Sequence, residues 1–326
     1  MSSAVNSARR LKGVVDTTRT LVPRNPLTPP MPKRVNALQQ ILGLLNVGST
    51  PQDAIFVAID TETADQGVRE IGVSTFDTRD IANIRPDCLA TNWIPKVKHW
   101  HYDITDGDPL HTGSVAPIFC RTEVRSPGDV RTLILALLHM ARQPSPEQPA
   151  RPVYLVGQSV SADVKRLRSS QTLNLNFAQT PDADFAFDGV FDTLSLATQA
   201  RDRGAYLPRM ALGPLARSLG VPSEYHSPLA GELLGTHNAS NDAAYSMMAM
   251  LLLAVRWNNL PSAYDAYWKL QAAYALRESS HRRHRQRLLD IRAYARERQQ
   301  ICQRLGVLEA AYVMIAELLW GTRKHG

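Results

Sequence analysis

The apolar residues of the chain form short runs that suit buried strands. A continuous apolar run such as residues 54–59 is typical of a strand that is covered on both faces. Residues 153–156 repeat this pattern before Gly157 interrupts it. Five extended segments are predicted altogether: 54–59, 72–76 with a start near Val68, 91–97, 153–156, and a strand that ends at Val190-Phe191.

Helical spacing and capping residues predict the helices that connect these strands. Ser126-Pro127 supplies an N-cap and a proline at the first helical position, and an apolar stripe follows from Val130. Gly213-Pro214 starts another helix, which Gly220 ends. Because strands alternate with helices, the pattern predicts a mixed α/β sheet. Helices are expected over 35–45, 126–141, 161–167, 213–219 and 240–257, and residues 261–320 are expected to be helical throughout.

The charge of the chain is unevenly distributed and suggests three regions. The net charge is +7 over 326 residues, but residues 1–34 hold seven basic residues against one acid, and residues 277–304 hold nine arginines against three acids. Basic arms attract phosphate backbones, although a charge run can also be a solvated surface. We expect a disordered basic tail over 1–34, a globular domain over 35–257 and a helical basic extension over 258–326.

Cysteine usage and hydropathy indicate an intracellular protein. The three cysteines are odd in number and far apart, which argues for reduced thiols. No apolar run approaches the roughly 18 residues that a membrane helix needs, and no secretory signal is expected. We favour the cytoplasm or the nucleus. The mitochondrion is the alternative, because residues 1–34 are rich in Arg and Ser like a presequence.

Two carboxylates directly follow the first predicted strand. Asp60 and Glu62 are two residues apart, so on an extended chain both side chains point the same way. Like charges this close are costly unless a cation neutralises them. The alternative is a strand that simply ends in a polar turn, since an Asp-x-Glu pair is common by chance.

Further candidates lie at the starts of two predicted helices. Asp163 falls in the first turn of the helix after the strand 153–156, and Asp242 falls in the first turn of the helix over 240–257. His237 precedes Asp242 by five residues, on a loop. Each of these residues alone is more simply explained by helix capping, by the helix dipole or by exposure on a loop.

Taken in order, these residues resemble the motifs of the DEDDh 3′→5′ exonucleases. That ribonuclease-H-like superfamily includes the proofreading subunits of bacterial DNA polymerases and many RNA-trimming enzymes. The resemblance covers about 54–257, including 190–197 and 212–221. Gln158-Ser159 departs from the His-Asn of many relatives, but it lies beside the motif and removes no metal ligand.

A narrower resemblance points to the fungal branch of ribonuclease-H-like proteins. This branch includes the Argonaute-interacting exonuclease of RNA silencing and a relative linked to mRNA export. Residues 54–72, 155–167 and 237–245 carry the similarity. It implies RNA processing and slightly favours RNA over DNA as the substrate.

The superfamily resemblance implies a fold, a reaction and a set of site residues. The expected fold is a mixed five-stranded sheet flanked by helices, and the expected reaction releases nucleoside 5′-monophosphates from single-stranded 3′ ends. Asp60, Glu62, Asp163 and Asp242 would hold two Mg²⁺ or Mn²⁺ ions, which prefer hard oxygen ligands. In this assignment Asp60 bridges the ions, Glu62 and Asp242 serve the nucleophile side, and Asp163 serves the other ion. His237 would accept a proton from the attacking water.

The basic extension offers candidate contacts to nucleic acid or protein. Arg282, Arg283, Arg285 and Arg287 are candidates for the phosphate backbone of a single strand. A solvated helical arm and a protein-docking surface are equal alternatives. The apolar stripe between Leu308 and Leu319 could likewise pack on the core, on a partner or on a second copy of the chain.

Two other functions compete with a nuclease. Residues 157–161 resemble the nucleophile elbow of a serine hydrolase around Ser159, and Asp192 and His237 follow in the order of a triad. However, Ser161 replaces the final glycine, and a hydrolase leaves the carboxylates unexplained. The second alternative is a catalytically weak scaffold that binds nucleic acid or protein, although all five expected site positions are filled.

A pair of histidines and several aromatic residues lie near the third predicted strand. His99 and His101 flank Trp100 without carboxylates at metal-binding spacing, so we expect them to be surface or structural residues. Trp93, Trp100 and Tyr102 could stack on bases, and core packing is expected for at least one of them.

Overall fold

The structure is a computed structural model, and its described residues form a mixed sheet between two layers of helices. The helices on one face surround the long helix at the end of the domain, and those on the other face pack through a second apolar core. The residues that the structure describes are 34–46, 48–64, 67–105, 115–142, 150–178, 180, 182–207, 209–227 and 232–262.

Six strands and six α-helices make up this part of the chain. The strands are β1 (Ile55–Ala64), β2 (Gly67–Asp77), β3 (Lys98–Ile104), β4 (Thr122–Arg125), β5 (Val153–Gly157) and β6 (Gly189–Asp192). The helices are α1 (Val35–Ile41), α2 (Pro127–Arg142), α3 (Val160–Ser169), α4 (Thr193–Asp202), α5 (Leu212–Leu219) and α6 (Ala239–Arg256). Three short 3₁₀ helices cover Thr78–Ile81, Ile94–Lys96 and Ser223–Tyr225.

The strand order is β4-β3-β2-β1-β5-β6, with β2 antiparallel to both of its neighbours and all other neighbours parallel. This is the mixed, ribonuclease-H-like architecture expected from the sequence. The sheet has one strand more than the five expected. That strand is β4, whose four residues are all exposed and therefore show no apolar run.

Alternate residues of β1 serve the two cores. Phe56 and Ala58 belong to the core that contains α6, whereas Val57 and Ile59 belong to the core that contains α2 and α3. This alternation follows from the two-residue period of a strand. It also explains why residues 54–59 read as one continuous apolar run.

Helix α6 is the central element of the first core and is buried on nearly all sides. It contacts β1, β2, β3 and β5 on the sheet, and α1, α4 and α5 on its other sides. Every residue from Ala243 to Ala254 is buried. The helix is densely apolar because it has almost no face in water.

The first strand extends further than the sequence predicts. It continues to Ala64 instead of ending at residue 59, so Asp60 and Glu62 lie within the strand and do not follow it.

Two further sequence expectations about element boundaries are wrong. Residues 91–97 form turns and a 3₁₀ helix around Pro95, and the strand begins only at Lys98. Asp87 stabilises the preceding turn, because its carboxylate accepts the backbone amides of Leu89 and Thr91 at 2.9 and 3.0 Å. The first helix ends at Ile41 instead of residue 45, because the chain turns at Gly43 with φ of +69°.

The predicted tail and extension lie almost wholly outside the described residues. Residues 1–33 and 263–326 fall there, so the helical character expected for 261–320 stays a prediction beyond Ser262. Ser262 itself forms an antiparallel bridge with Ala205. In the described part of the chain, no helix combines the length and the apolar character required to cross a membrane.

Candidate active site

The two carboxylates of the first motif lie on the face of β1 that is directed towards α6. Asp60 pairs with Gly72 of β2, and Glu62 pairs with Glu70. The ladder shifts register directly after Glu62, so the regular sheet ends at this point. Both side chains are partly buried. The parity predicted from the Asp-x-Glu spacing is therefore present in the structure.

A close approach of backbones brings the start of α6 to these carboxylates. A Cβ atom added to Gly72 would lie 2.0 Å from the carbonyl oxygen of Ala239 and 2.3 Å from the amide nitrogen of Ser240. Only glycine fits between strand and helix at this distance. Since Gly72 pairs with Asp60, the first turn of α6 lies over Asp60. Sequence reasoning missed this role, although a glycine inside a strand pattern was the available signal.

His237 and Asp242, at the start of α6, form a cluster with Glu62. Ligand atoms of Glu62, His237 and Asp242 all lie within 4.8 Å of one another. His237 is exposed and has a left-handed backbone with φ of 67°. Its backbone amide donates to Oδ2 of Asp242 at 3.1 Å. This hydrogen bond orients both the loop at His237 and the carboxylate of Asp242.

Asp163 reaches the cluster from the first turn of α3. Its Oδ1 accepts a hydrogen bond from the hydroxyl of Thr61 at 2.7 Å and another from Nη1 of Arg166 at 3.2 Å. Among charged neighbours, Asp163 contributes most to the raised pKa of Asp60, ahead of Asp242 and Glu62. The structure thus brings all four carboxylates and the imidazole together, as the sequence order suggested.

The electrostatics of the cluster are dominated by burial and by repulsion between its carboxylates. Burial raises the pKa of Asp60 well above its ordinary value, and the neighbouring carboxylates raise it further. Burial also raises the pKa values of Glu62 and Asp163, and it raises the pKa of Asp242 to about 6. Like charges that are gathered in a low-dielectric place disfavour the ionised form of each.

A divalent cation fits this set of donors. Oδ1 of Asp242 is buried and has no hydrogen-bond partner among the described residues. A buried oxygen without a partner is costly unless something binds it. The four carboxylates supply hard oxygen ligands, which Mg²⁺ and Mn²⁺ prefer. Asp60, Glu62, Asp163 and Asp242 could therefore hold such ions.

The region around Ser159 does not form the triad of a serine hydrolase. Ser159 has the left-handed backbone of an elbow, with φ of 60°. However, both carboxylate oxygens of Asp192 cap helices, through the amides of Val160 at 2.8 Å and Ser195 at 3.1 Å. His237 lies at the carboxylate cluster instead. Within the described ranges, no hydrogen bond joins Ser159 to a histidine.

The aromatic and arginine candidates have different outcomes. Trp93 and Tyr102 are buried core residues, and Nε1 of Trp93 donates to the carbonyl of Ile84 at 2.8 Å. Trp100 is partly buried against the core of α2 and α3. The arginines proposed for nucleic-acid contacts lie outside the described residues: Arg282, Arg283, Arg285 and Arg287.

A family model agrees with this geometry. The DEDDh family described as DNA polymerase III subunit epsilon-like, C-terminal domain, matches residues 55–253. A search of curated proteins finds no significant match. The matched range runs from the start of β1 into the last turn of α6 and contains all five residues of the carboxylate and histidine cluster. The chain therefore belongs to the DEDDh exonuclease superfamily, in the DNA polymerase III epsilon-like family.

Proposed function

We propose that the protein is a 3′→5′ exonuclease that releases nucleoside 5′-monophosphates from single-stranded RNA or DNA. The observation that carries this proposal is the meeting of four carboxylates and His237 at the point where α6 contacts β2. The family match gives the nuclease class, and the direction of digestion and the substrate are part of the proposal.

The carboxylates would hold the divalent ions on which this family generally depends. Asp60, Glu62 and Asp242 face one another across the β1–α6 contact, and Asp163 approaches from α3. When bound, Mg²⁺ or Mn²⁺ supplies charge stabilisation for a phosphoryl group and makes a water more acidic. We propose that Asp60, Glu62, Asp163 and Asp242 would together hold two such ions.

His237 is the proposed general base. It is the exposed member of the cluster, and a nitrogen of its ring lies within 4.8 Å of a carboxylate oxygen of Glu62 and of one of Asp242. An imidazole at this place can accept the proton of an attacking water, while the negative charges beside it stabilise the imidazolium that forms. Asp242 accepts the backbone amide of His237 and so orients the loop.

The direct test is digestion of end-labelled oligonucleotides in the presence of Mg²⁺ or Mn²⁺. We expect a 3′ label to be released first as a mononucleotide. Asp60→Ala should lower the rate more than about 100-fold, because removing a metal ligand should cost more than removing a residue that only supports a ligand, which costs up to about 100-fold. His237→Ala should lower kcat by about 10²- to 10⁴-fold. Release from the 5′ end, or full activity of Asp60→Ala, would refute the proposal.

The second candidate, a scaffold with little activity, predicts a different result in the same experiment. It expects the wild-type chain to bind the single strand and leave it intact. All five site positions are filled and brought together, which favours catalysis. Binding without release of mononucleotides would establish the scaffold instead.

The sequence resemblance to the fungal Argonaute-interacting exonuclease leads to a narrower proposal, RNA as the preferred substrate. Parallel digestion of single- and double-stranded RNA and DNA of one sequence tests it. We expect the highest kcat/KM on single-stranded RNA. Equal or faster digestion of DNA would contradict the preference but would leave the exonuclease proposal intact.

A further inference from the structure

A cluster of three buried polar side chains lies beneath the first turn of α6. Glu70 on β2, His101 on β3 and Asn238 at the N-cap of α6 are 5%, 3% and 0% exposed. Glu70 lies directly opposite Glu62, and His101 lies directly opposite Gly72. The cluster therefore adjoins the active site, but its members are not among the proposed metal ligands.

Hydrogen bonds link the three side chains of the cluster to one another. Oε2 of Glu70 lies 3.2 Å from Nε2 of His101 and 3.2 Å from Nδ2 of Asn238. Because a carboxylate only accepts, both nitrogens must donate, although they lie 3.2 Å apart. Nδ1 of His101 forms a further hydrogen bond with the hydroxyl of Thr122 at 2.9 Å. His101 is therefore a buried structural residue, one of the two roles expected for it, and its carboxylate partner comes from the neighbouring strand.

Asn238 connects this cluster to the helix and to an adjoining loop. Its Oδ1 accepts the amide of Asn241 at 3.2 Å, which caps α6. Its Nδ2 also donates to the carbonyl of Val115 at 3.0 Å. All the polar atoms of the Asn238 side chain are therefore used, and the side chain is held in one orientation.

The position of Asn238 gives these bonds a consequence for the active site. His237 is the preceding residue, and Asp242 lies one helical turn later. Apolar packing could hold α6 on the sheet, but it would not fix rotation about the helix axis as directional hydrogen bonds do. When Asn238 is held in place, the backbone positions from which the His237 and Asp242 side chains extend are held as well.

We propose that Glu70, His101 and Asn238 are positioning residues that lock the first turn of α6, and with it His237 and Asp242, in the active arrangement. This inference rests on the proposed exonuclease function for its kinetic consequence. A displacement of about 1 Å in a catalytic group can cost about 100-fold in rate. The cluster acts through the helix start and needs no contact with substrate.

The test compares Asn238→Ala with a matched variant at the other end of α6. Gln39 is also a buried amide, and its Nε2 donates to the carbonyl of Ala254 at 2.9 Å. We expect Asn238→Ala to speed amide hydrogen exchange in residues 237–242 and to lower kcat about 100-fold with little change in KM. Gln39→Ala should lower the melting temperature but leave both quantities unchanged.

A reversal of polarity provides a rescue. Asn238→Asp sets a second carboxylate beside Glu70 and should be as impaired as Asn238→Ala. Adding Glu70→Gln removes this repulsion and offers an amide that can donate to the new carboxylate. Although the hydrogen bond to the Val115 carbonyl stays lost, the double variant should recover about tenfold in kcat over Asn238→Asp, the equivalent of one hydrogen bond. The recovery would distinguish positioning from general loss of stability.

Two outcomes would overturn the inference. The first is unchanged hydrogen exchange in residues 237–242 of Asn238→Ala. The second is a wild-type kcat in both Asn238→Ala and Asn238→Asp. If the wild-type chain digests no nucleic acid, the proposed function fails, and the exchange measurement alone still decides whether the cluster fixes the start of α6.

Discussion

At the scale of single residues, the proposed active site is a set of charges that the fold holds together at a cost. Asp60 is surrounded by Asp163, Asp242 and Glu62, and its pKa is raised well above its ordinary value, first by burial and then by these neighbours. Arg166 offsets only part of this repulsion, since it contacts Asp163 from a largely exposed position. Divalent cations would turn the same repulsion into binding energy.

This repulsion predicts how stability depends on pH in the absence of metal. The pKa of Asp242 is raised from 3.8 to about 6, so this group favours the folded state below 3.8 and loses that contribution as the pH rises through about 6. Asp242→Asn removes the charge, so the free energy of unfolding of this variant should exceed that of the wild type by about 2 kcal/mol at pH 8 in EDTA. The advantage should shrink towards pH 5.

Melting curves in EDTA between pH 5 and pH 8 measure this difference. The matched control is Asp129→Asn, since Asp129 is also a first-turn aspartate but is exposed on α2. We expect no pH-dependent gain in that variant. If Asp242→Asn were less stable than the wild type at pH 8, the charge cluster would not be destabilising, contrary to the account given above.

The meeting of the five proposed site residues could be predicted from the sequence, but the residues that support them could not. Asp60 and Glu62 are set by the two-residue period of β1, and Asp242 lies in the first turn of α6. Glu70 and His101 acquire their roles from strand register, because each depends on a partner in another strand or helix. Short local patterns do not specify such pairings.

At the scale of elements, the site depends on how α6 meets β2. The contact at Gly72 has no space for a side chain, so the helix start lies directly on the strand. Helix α6 was predicted over 240–257 and is observed as Ala239–Arg256, because its density of apolar residues and its N-cap are strong local signals. The point at which it crosses the sheet had no such signal apart from the glycine itself. β4 was missed because it is short and exposed.

Substituting this glycine should separate helix and strand. Gly72→Ala places a methyl group 2.0 Å from the Ala239 carbonyl oxygen, so the start of α6 must move away. We expect a loss of about 1–3 kcal/mol in the free energy of unfolding, together with a fall in kcat because Asp242 and His237 are displaced from Asp60. Thermal melting and single-strand digestion measure the two effects.

The control for this variant is Gly128→Ala in α2. A Cβ atom at Gly128 meets nothing within 4 Å. Alanine there should be neutral or should stabilise the protein by about 0.4–1 kcal/mol. Wild-type kcat in Gly72→Ala would show that the close approach does not govern the position of the catalytic groups.

At the scale of the whole molecule, an acidic site lies in a chain with two basic arms. The net charge is +7, and the excess lies in residues 1–34 and 277–304. Such arms could raise the local concentration of a polyanionic substrate near carboxylates that would otherwise repel it. The extents proposed for the tail (1–34) and the extension (258–326) remain predictions. The binding of a protein partner or of a second copy to the apolar stripe between Leu308 and Leu319 is also a prediction, and so is the location in the cytoplasm, nucleus or mitochondrion.

The salt dependence of substrate binding tests the arginine-rich segment. Replacing Arg282, Arg283, Arg285 and Arg287 with Gln should weaken binding at low salt. It should also reduce the slope of log Kd against log salt by about 0.7 for each arginine that contacts a phosphate of a single strand. Titrations of a labelled oligonucleotide at several salt concentrations, with a metal-free protein, give this slope. An unchanged slope would favour a solvated arm or a protein-docking surface.

The most direct test of the central claim is anomalous diffraction from a crystal of the protein grown with Mn²⁺. The account predicts that manganese binds among the carboxylates of Asp60, Glu62, Asp163 and Asp242, and that the peak is lost in Asp60→Asn. Manganese bound only elsewhere, or a peak that survives in Asp60→Asn, would contradict the claim that these side chains form a divalent-cation centre.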